Sequence, residues 1–574
     1  MFIRLTRCKT SKNPTVQVVE SYREGPKVRQ RIIASLGVVR NAEDRQRLIN
    51  MGHALIAKLS SEQDPQMPLL ESTALQDEKS SSDEKKLNPK DLIHIRNQPC
   101  GFEDIFSALS KEIGFSDLYS EIDSQHKFNF SCRNVVQMLV QKRIEEPSSK
   151  RRSLYLDTQE KGALECELHQ VYRAMDAIEP FTDKFQTLAH LAAQNLLEKV
   201  ECYFYDATTL YFESVLQDEI RDFGYSKDGK FNQVQVLLCL LVTERGLPVG
   251  YEIFAGNTGE TKTLQTALEN LSKKFNVVKA TIVCDRGMLS KDNLDFAQSS
   301  TNMNYIIGEK LRKLPAKQQD LIFDKSTYVK SGETLIKDVD HPTRVGARLI
   351  LIYSESRAKK DKQDRERLLK KIQKKLKKKE NEPKVFISNS GVKKYVLAQG
   401  GTVRLNLEAI AKDEKWDGFF GIVTDHKDLT AEKIISQYRG LWQVEAAFRL
   451  TKHNLSTRPI FHWTPHRIKT HISICFQALV LERHLEVRLE KSGLFLTTKN
   501  IHDALSMCQK IILQDKRTHR LFEMDSNKPP EAKQIYQAVG LPWRKQTREL
   551  PKPEGLVVSS VGCVKPQDIG IAPL

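Results

Sequence analysis

Between residues 200 and 308 the sequence reads strand, strand, strand, helix, strand, helix, strand, an order that predicts an α/β fold: a mixed sheet with helices on its faces. Two further observations complete the expected architecture. Residues 309–427 interrupt the alternation with β-like pieces and a long basic run, which predicts a β-rich insertion, because compact domains do not hold structureless loops of that length. Ahead of the sheet, residues 91–198 show helical periodicity with Arg or Lys at 142, 143, 150, 151 and 152, which predicts a basic helical domain.

Taken in order, residues 1–60 open with apolar and polar alternation around turn signals, Thr15-Val-Gln-Val-Val19, Arg23-Glu-Gly-Pro26 and Val28-Arg-Gln-Arg-Ile-Ile33, the pattern of a small strand and hairpin unit. Residues 61–90, with Lys79-Ser-Ser-Ser-Asp-Glu-Lys-Lys86, carry too little apolar surface to fold and read as a flexible linker. The helical domain at 91–198 follows, for example Asn134-Val-Val-Gln-Met-Leu-Val-Gln-Lys142. In the first part of the core, 199–308, an apolar run from Val200 to Tyr205 ends in Asp206. Gln233 to Val242 forms a second strand, and Glu244-Arg-Gly246 turns the chain into a third at Pro248 to Phe254, so the first three strands are expected to be antiparallel. Helical spacing over 261–275 leads to Ala280-Thr-Ile-Val-Cys284, which ends in Asp285. A second helix at 289–297 precedes the strand Asn304 to Gly308. This strand and helix order matches the ribonuclease-H-like arrangement. The pattern turns helical again over 428–490, the second part of the core; residues 491–574 form a C-terminal region without a legible role.

Composition narrows the functional classes. The chain has 574 residues, enough for several units, and 40% apolar against 28% charged residues is the balance of a globular protein. Its longest apolar stretch, around 236–242, is well short of the roughly 18 residues a membrane span needs. Charges near Met1 stand where a secretory leader would be apolar, so a cytoplasmic protein is expected. Lys plus Arg number 90 and Asp plus Glu 73, a surplus of 90 − 73 = 17 that points to a polyanionic partner, foremost nucleic acid. The ten cysteines include no Cys-x-x-Cys pair and read as reduced packing residues, and the histidines show no zinc spacing. Without a Gly-x-x-x-x-Gly-Lys-Ser/Thr loop, an ATP-driven motor lacks support.

Asp206 and Asp285, each at the end of a buried strand, could stand side by side and share hard divalent cations; taken singly each reads first as an ordinary turn, and it is the pair with the strand order above that favours a functional reading. Residues 430–455 read as one helix on which Tyr438, Glu445 and Lys452, spaced by seven, follow one stripe with a drift of about 20° per step. Leu441, Trp442 and Phe448 make that face partly apolar, so Glu445 is expected to be buried with Trp442 packed beside it, compensated by a cation. The competing reading is a helix ion pair from Glu445 to Arg449. Residues 359–380 hold 12 basic against 4 acidic side chains, with Leu368, Ile372 and Leu376 as a narrow apolar seam, consistent with a helix that tracks phosphates or one that rests on the insertion.

Three motifs, Tyr205-Asp-Ala-Thr-Thr-Leu-Tyr-Phe-Glu213, Cys284-Asp-Arg-Gly287 and Tyr438-x2-Leu-x3-Glu445-x6-Lys452, resemble those of bacterial insertion-sequence DDE transposases, in the branch with a Tyr-Arg-Glu-Lys helix. Met1 to Gly37, Gly224-Tyr-Ser-Lys-Asp228, Gly246-Leu-Pro-Val249, Gly256-Asn-Thr258 and Leu455-x2-Arg-Pro459 are also similar to that family, so the likeness runs to about residue 490. It implies that Asp206, Asp285 and Glu445 bind two divalent ions, Mg2+ or Mn2+, for in-line attack on a phosphodiester. It implies DNA contacts at Tyr438 and Lys452, with Arg439 and Arg449 as further candidates, while the arginine expected three residues after Tyr438 is Leu441. It also implies partners: terminal inverted repeats, target DNA and a second copy of the chain on paired ends, in a bacterial cytoplasm at the nucleoid. Excision would pass through hairpinned ends. The expected activity is cut-and-paste transposition; the alternatives are an inactive DNA-binding repressor or a host-adopted metal-dependent endonuclease.

Overall fold

A computed structural model describes residues 2–6, 14–24, 27–39, 48–49, 89–162, 166–226, 229, 232–275, 280–299, 303–377, 393–399, 402–526, 529–543 and 547–550. The expected linker at 61–90 lies outside them except for its last two residues, and so do Cys8 and Cys563. The chain divides into two units, Met1–Lys86 and Leu87–Leu574.

In the first unit β1 (Phe2–Thr6), β2 (Thr15–Glu24) and β3 (Lys27–Val38) form an antiparallel sheet in that order. Val16 and Val18, two apart and therefore on one face, are fully buried.

The second unit begins with β4 (Leu92–Pro99). Six helices follow: α1 (Gly101–Ile113), α2 (Phe115–Gln125), α3 (Cys132–Glu145), α4 (Lys150–Lys161), α5 (Leu168–Ile178) and α6 (Thr182–Leu197). Ser131 and Ser149 cap α3 and α4 by accepting from the backbone N–H of Asn134 and Arg152.

The core then runs β5 (Tyr203–Tyr211), β6 (Gln235–Thr243), β7 (Pro248–Ala255), α7 (Thr263–Phe275), β8 (Ala280–Cys284), α8 (Lys291–Ser299) and β9 (Met303–Glu309). β5 pairs antiparallel with β6 and β6 with β7, as the turn signals predict, whereas β5, β8 and β9 are parallel. Every residue of β6 is buried, as a continuous apolar run in a central strand requires.

Beyond β9 come α9 (Ala316–Phe323), β10 (Val329–Ser331), β11 (Thr334–Asp340), β12 (Arg348–Ser354), α10 (Glu355–Lys377), β13 (Val396–Gln399), β14 (Thr402–Leu405), α11 (Leu407–Glu414) and β15 (Phe419–Thr424). These strands do not all stand apart from the core. β15 pairs with β9, β12 with β15, and β11 and β10 follow, giving one nine-stranded sheet ordered β10-β11-β12-β15-β9-β8-β5-β6-β7. Only the β13–β14 hairpin is separate, and the seam of α10 packs on it: Ile372 is buried with Tyr395 and Val403, flanked by Leu368 and Leu376.

The expected single helix at 430–455 is broken. It comprises α12 (Ala431–Arg439), α13 (Trp442–Arg449) and a π turn at Leu450–Asn454. The break falls at Gly440, where a Cβ would collide with the ring of Phe204 in β5, so only glycine lets the chain come this close to the sheet. α14 (Pro465–Lys491) is buried on most sides, with Thr470, His471, Ser473, Gln477, Glu482 and His484 among its buried residues, and packs on α3, α5, α6 and β7, so joining the helical domain to the sheet. Arg467 on α14 forms a two-bonded pair with Asp176 of α5, at 2.9 and 2.8 Å.

The C-terminal region contains α15 (Thr498–Ser506), β16 (Gln509–Asp515), β17 (Leu521–Asp525), α16 (Pro530–Ala538) and β18 (Arg548–Glu549). β16 pairs antiparallel with β4, completing a four-stranded sheet from the two ends of this unit. Among the described residues no helix is long and apolar enough to cross a membrane. The eight described cysteines are buried.

Candidate active site

Asp206 is not at the end of its strand, as the sequence suggested, but in the middle of β5. What ends there is the pairing with β8, whose last register pair is Tyr205 with Cys284. Asp206 and Asp285 therefore follow the last paired residues of two adjacent parallel strands, about 4.8 Å apart in the hydrogen-bonding direction. Alternation fixes their direction. Tyr205 and Cys284 belong to the core on one face, Phe204 and Val283 to the core on the other, so both aspartates project toward the second face. Val444, Ala447 and Phe448 of α13 pack into that same second core, which brings Glu445 to the same side of the sheet.

The result is a cleft of about 840 Å³ lined by Asp206, Asp285 and Glu445 together with Glu260, Tyr438, Arg439, Leu441 and Trp442. The expectation that Glu445 is buried is incorrect: it is exposed, and Trp442, expected to pack beside it, is 59% exposed. Tyr438 and Glu445, seven residues apart, nevertheless line the same cleft across the break at Gly440. Arg449 is exposed and Lys452 lies in the π turn; neither lines the cleft. Among the described residues no ion pair joins Glu445 to Arg449, which removes the helix salt bridge as the reason for a glutamate here.

Buried hydrogen bonds hold the cleft floor. Tyr205, next to Asp206, donates to Thr263 Oγ1 at 2.9 Å, and Thr263 donates to the carbonyl of Glu260 at 2.7 Å, so the turn bearing Glu260 is tied to the strand bearing Asp206. Asn293, 2% exposed, donates from one amide nitrogen to the carbonyls of Thr261 and Met288, both at 2.8 Å, which staples the Glu260 turn to the Asp285 turn. The position that a Cβ on Gly287 would occupy is 3.7 Å from Glu260 Oε2 and 4.0 Å from Asp285 Oδ2, so both carboxylates close over this glycine.

Asp206 Oδ1 accepts from the backbone N–H of Ala207 at 2.8 Å. The Tyr438 hydroxyl donates to Asp285 Oδ1 at 3.4 Å. Burial, and then the Asp285 charge, push that hydroxyl well above the ordinary tyrosine value, so it stays a donor. The close approach depends on Gly308, where a Cβ would clash with the Tyr438 oxygen.

Three carboxylates with oxygen tips on one cleft wall are a donor set of the kind that hard divalent cations take. Among the described residues no three His, Cys, Asp or Glu side chains are close enough together to form a finished ligand set. Sequence reasoning missed Glu260, although Gly256-Asn-Thr258 just before it was singled out. It also missed Ser356 and Arg357, which reach the cleft from the first turns of α10 together with Lys360 of the basic run at 359–380.

Residues 201–481 match the family model of the transposase DDE domain, and residues 3–66 match the N-terminal domain of IS1634 family transposases. Among solved structures the chain is similar to a piggyBac transposase synaptic complex with hairpin DNA, determined by cryo-EM, at 10% identity and a TM-score of 0.36, covering 72% of this chain and 82% of that one. No curated protein matches it.

Proposed function

Since the chain belongs to the DDE transposases of bacterial insertion sequences, we propose that Asp206, Asp285 and Glu445 are the residues with which it cuts and rejoins DNA. The observation that carries this reading is their meeting in one cleft, on one face of the sheet, from three distant parts of the chain. The strand order β7-β6-β5-β8-β9 and the parallel β5–β8 pair support a ribonuclease-H-like core, with residues 309–427 as its insertion.

Asp206, Asp285 and Glu445 would hold divalent metal, with Mg2+ and Mn2+ both fitting the all-oxygen donors. When bound, such ions lower the pKa of an attacking hydroxyl and stabilise the leaving oxygen of the phosphodiester. The protein's own part is positioning. The Tyr438 hydroxyl orients Asp285, and the Asn293 staple fixes the level of Asp285 relative to the Glu260 turn. Arg439, exposed on the cleft wall, faces a phosphate of the entering strand. Arg449 and Lys452 contact the DNA backbone outside the cleft. The substrates on this reading are the terminal inverted repeats and then target DNA, handled by two copies of the chain on paired ends in a cut-and-paste reaction.

The test is cleavage of a labelled duplex ending in the inverted repeat that brackets the gene, in Mg2+ and in Mn2+. Asp206→Asn and Asp285→Asn are each expected to lower the cleavage rate by about a thousand-fold or more, as the loss of metal-held charge at a reacting phosphate should, while affinity for the duplex is retained. Wild-type protein that binds the repeat and cuts it in neither metal would establish the repressor reading instead.

A further inference from the structure

A phosphodiester entering a cleft that already holds three carboxylates needs cationic donors of its own, and the wall formed by α12 and α13 offers few. Leu441, half-buried, presents an apolar side chain to the cleft, and Arg439 stands at the C-terminal end of α12. The second source of charge is α10. β12 passes into this helix without a loop, and its first turns bring Ser356, Arg357 and Lys360 to the wall shared with Asp206, Asp285 and Glu445.

Arg357 differs from the other cations of α10 in how it is held. Its guanidinium lies 4.9 Å from the centroid of the Phe420 ring, which fixes the side chain without neutralising it. Its nearest carboxylate, Asp361, is 3.9 Å away and already accepts from the backbone N–H of Gly418 at 3.0 Å. Arg365, two turns further on, shows the contrasting case. It forms a two-bonded pair with Asp417 at 2.6 and 2.7 Å and is spent on anchoring the helix. The Arg365–Asp417 and Asp361–Gly418 contacts together clamp the first half of α10 to the loop before β15, so the position of Arg357 is set by the fold.

Arg357 also lines the adjoining cleft of about 830 Å³, with Asp285, Tyr438 and Phe420 common to both and Arg286, Lys310 and Lys313 further along. It therefore stands at the junction between the carboxylate cleft and a second one of mixed charge. Its charge reaches the Tyr438 hydroxyl, opposing the upward push from Asp285.

We propose that Arg357 is a positioning residue that grips a backbone phosphate of the DNA strand bound at the Asp206, Asp285 and Glu445 cleft, holding the scissile bond against the carboxylates with its two-pronged donor face. The inference rests on the reading of that cleft as the cutting site. An exposed guanidinium held only by an aromatic ring and a distant, shared carboxylate keeps its fork for an incoming anion, and the planar fork matches phosphate in a way an ammonium does not.

The experiment uses the full chain and the same repeat-ended duplex, measuring cleavage rate and the dependence of log K on log salt for wild type, Arg357→Gln, Arg357→Lys and Asp206→Asn. Arg357→Gln is expected to lower the cleavage rate by about a hundred-fold and to flatten the salt slope by about 0.9, the loss of one phosphate contact on duplex DNA. Arg357→Lys should recover the slope, because the charge returns, but not the rate, because the fork does not. Thermal melting of both variants identifies any loss of folding, and the lysine variant carries the test if the glutamine variant does not fold. With Asp206→Asn inactive, cleavage within about two-fold of wild type in a folded Arg357→Lys protein, or in a folded Arg357→Gln protein whose slope is also unchanged where a change near 0.9 is predicted, would overturn the role of Arg357 and leave the cleft reading intact. An Asp206→Asn protein that cuts as wild type does would instead bring down the cleft reading itself.

Discussion

The carboxylate cleft and the helical domain handle charge in opposite ways. In the cleft, Asp285, Glu445, Arg357 and Arg439 are exposed at their tips, and the order of the site resides in uncharged groups beneath them, Tyr205, Thr263 and Asn293. In the helical domain three cations are buried outright. Lys142, 2% exposed, is paired with Glu145 and Glu160; Arg143 donates to the carbonyls of Ser148 and Leu455; and the Lys150 ammonium has no hydrogen-bond partner among the described residues. Charges that build the scaffold are settled inside the chain, while those assigned to DNA and metal are left for what enters. Burial displaces titration in both regions: it drives Lys150 down to about 7, takes His471 well below its ordinary value and carries the Tyr438 hydroxyl well above its own.

If the contrast is right, removing a buried partnered charge should cost stability and spare chemistry. Lys142→Met leaves Glu145 and Glu160 facing one another without their cation, and breaking a buried pair from one side costs about 3–5 kcal/mol. The expected result is a lower urea midpoint with an unchanged slope of unfolding free energy against urea, and a cleavage rate per folded molecule equal to wild type. A cleavage defect at full occupancy of the folded state would mean that the helical domain takes part in the chemistry.

Lys150 sharpens the same contrast through pH. The groups around it are Arg143, His462, His471 and Cys475, none of them a carboxylate. With its value lowered from 10.5 to about 7, the unfolded chain binds a proton that the folded chain does not between those limits, so stability should rise with pH across that window. Lys150→Met keeps the stem and removes the ammonium. It is expected to be more stable than wild type near pH 7 by an amount on the order of a few kcal/mol, with the gap closing as pH approaches 10.5. Equilibrium unfolding at a series of pH values reads this directly, and a variant less stable than wild type throughout would show that the ammonium has a counter-charge.

Much of the sheet was legible because its physics is local. The run from Val236 to Val242 is apolar at every position, as a strand covered on both faces must be, and Ala280 to Cys284 ends just before Asp285 as expected. Asp206 was placed correctly beside Asp285 but for the wrong reason. β5 continues for five residues past it, and what stops is the pairing with β8, which no pattern within β5 records. The helix at 430–455 was read as one cylinder, and a periodicity drawn on it buried Glu445 and Trp442 when both are exposed; the close approach of Gly440 to Phe204, a residue on another element, leaves no mark on that periodicity. The approach of Arg357 to the cleft and the pairing of β4 with β16 were invisible for the same reason: each joins segments whose own composition carries no mark of the partner. Side chains that act across elements are the part of a site that sequence patterns report least.

The mildest test concerns a charge pair that is neither buried nor catalytic. Lys433 on α12 and Glu201, just before β5, meet at 2.6 Å with side chains 45% and 44% exposed. The hydrogen bond from Lys433, the largest influence on this carboxylate, lowers the value of Glu201, and the hydrogen bond to Glu201 raises that of Lys433. The contribution of the pair is therefore present at neutral pH. On the acid side it is lost as pH falls through the lowered carboxylate value, and on the basic side as pH rises through the raised lysine value. Solvent screens both groups, so Lys433→Ala should cost no more than about 1 kcal/mol, and less as salt rises. Although the pair ties down the helix that carries Tyr438, cleavage of the repeat-ended duplex should be unchanged, because the Gly440 contact with Phe204 and the burial of Ile434 and Ile435 already fix α12 on the sheet. A loss of cleavage without a loss of stability would show that the exposed charges of α12 are part of the DNA grip, and would extend the acting set beyond the cleft.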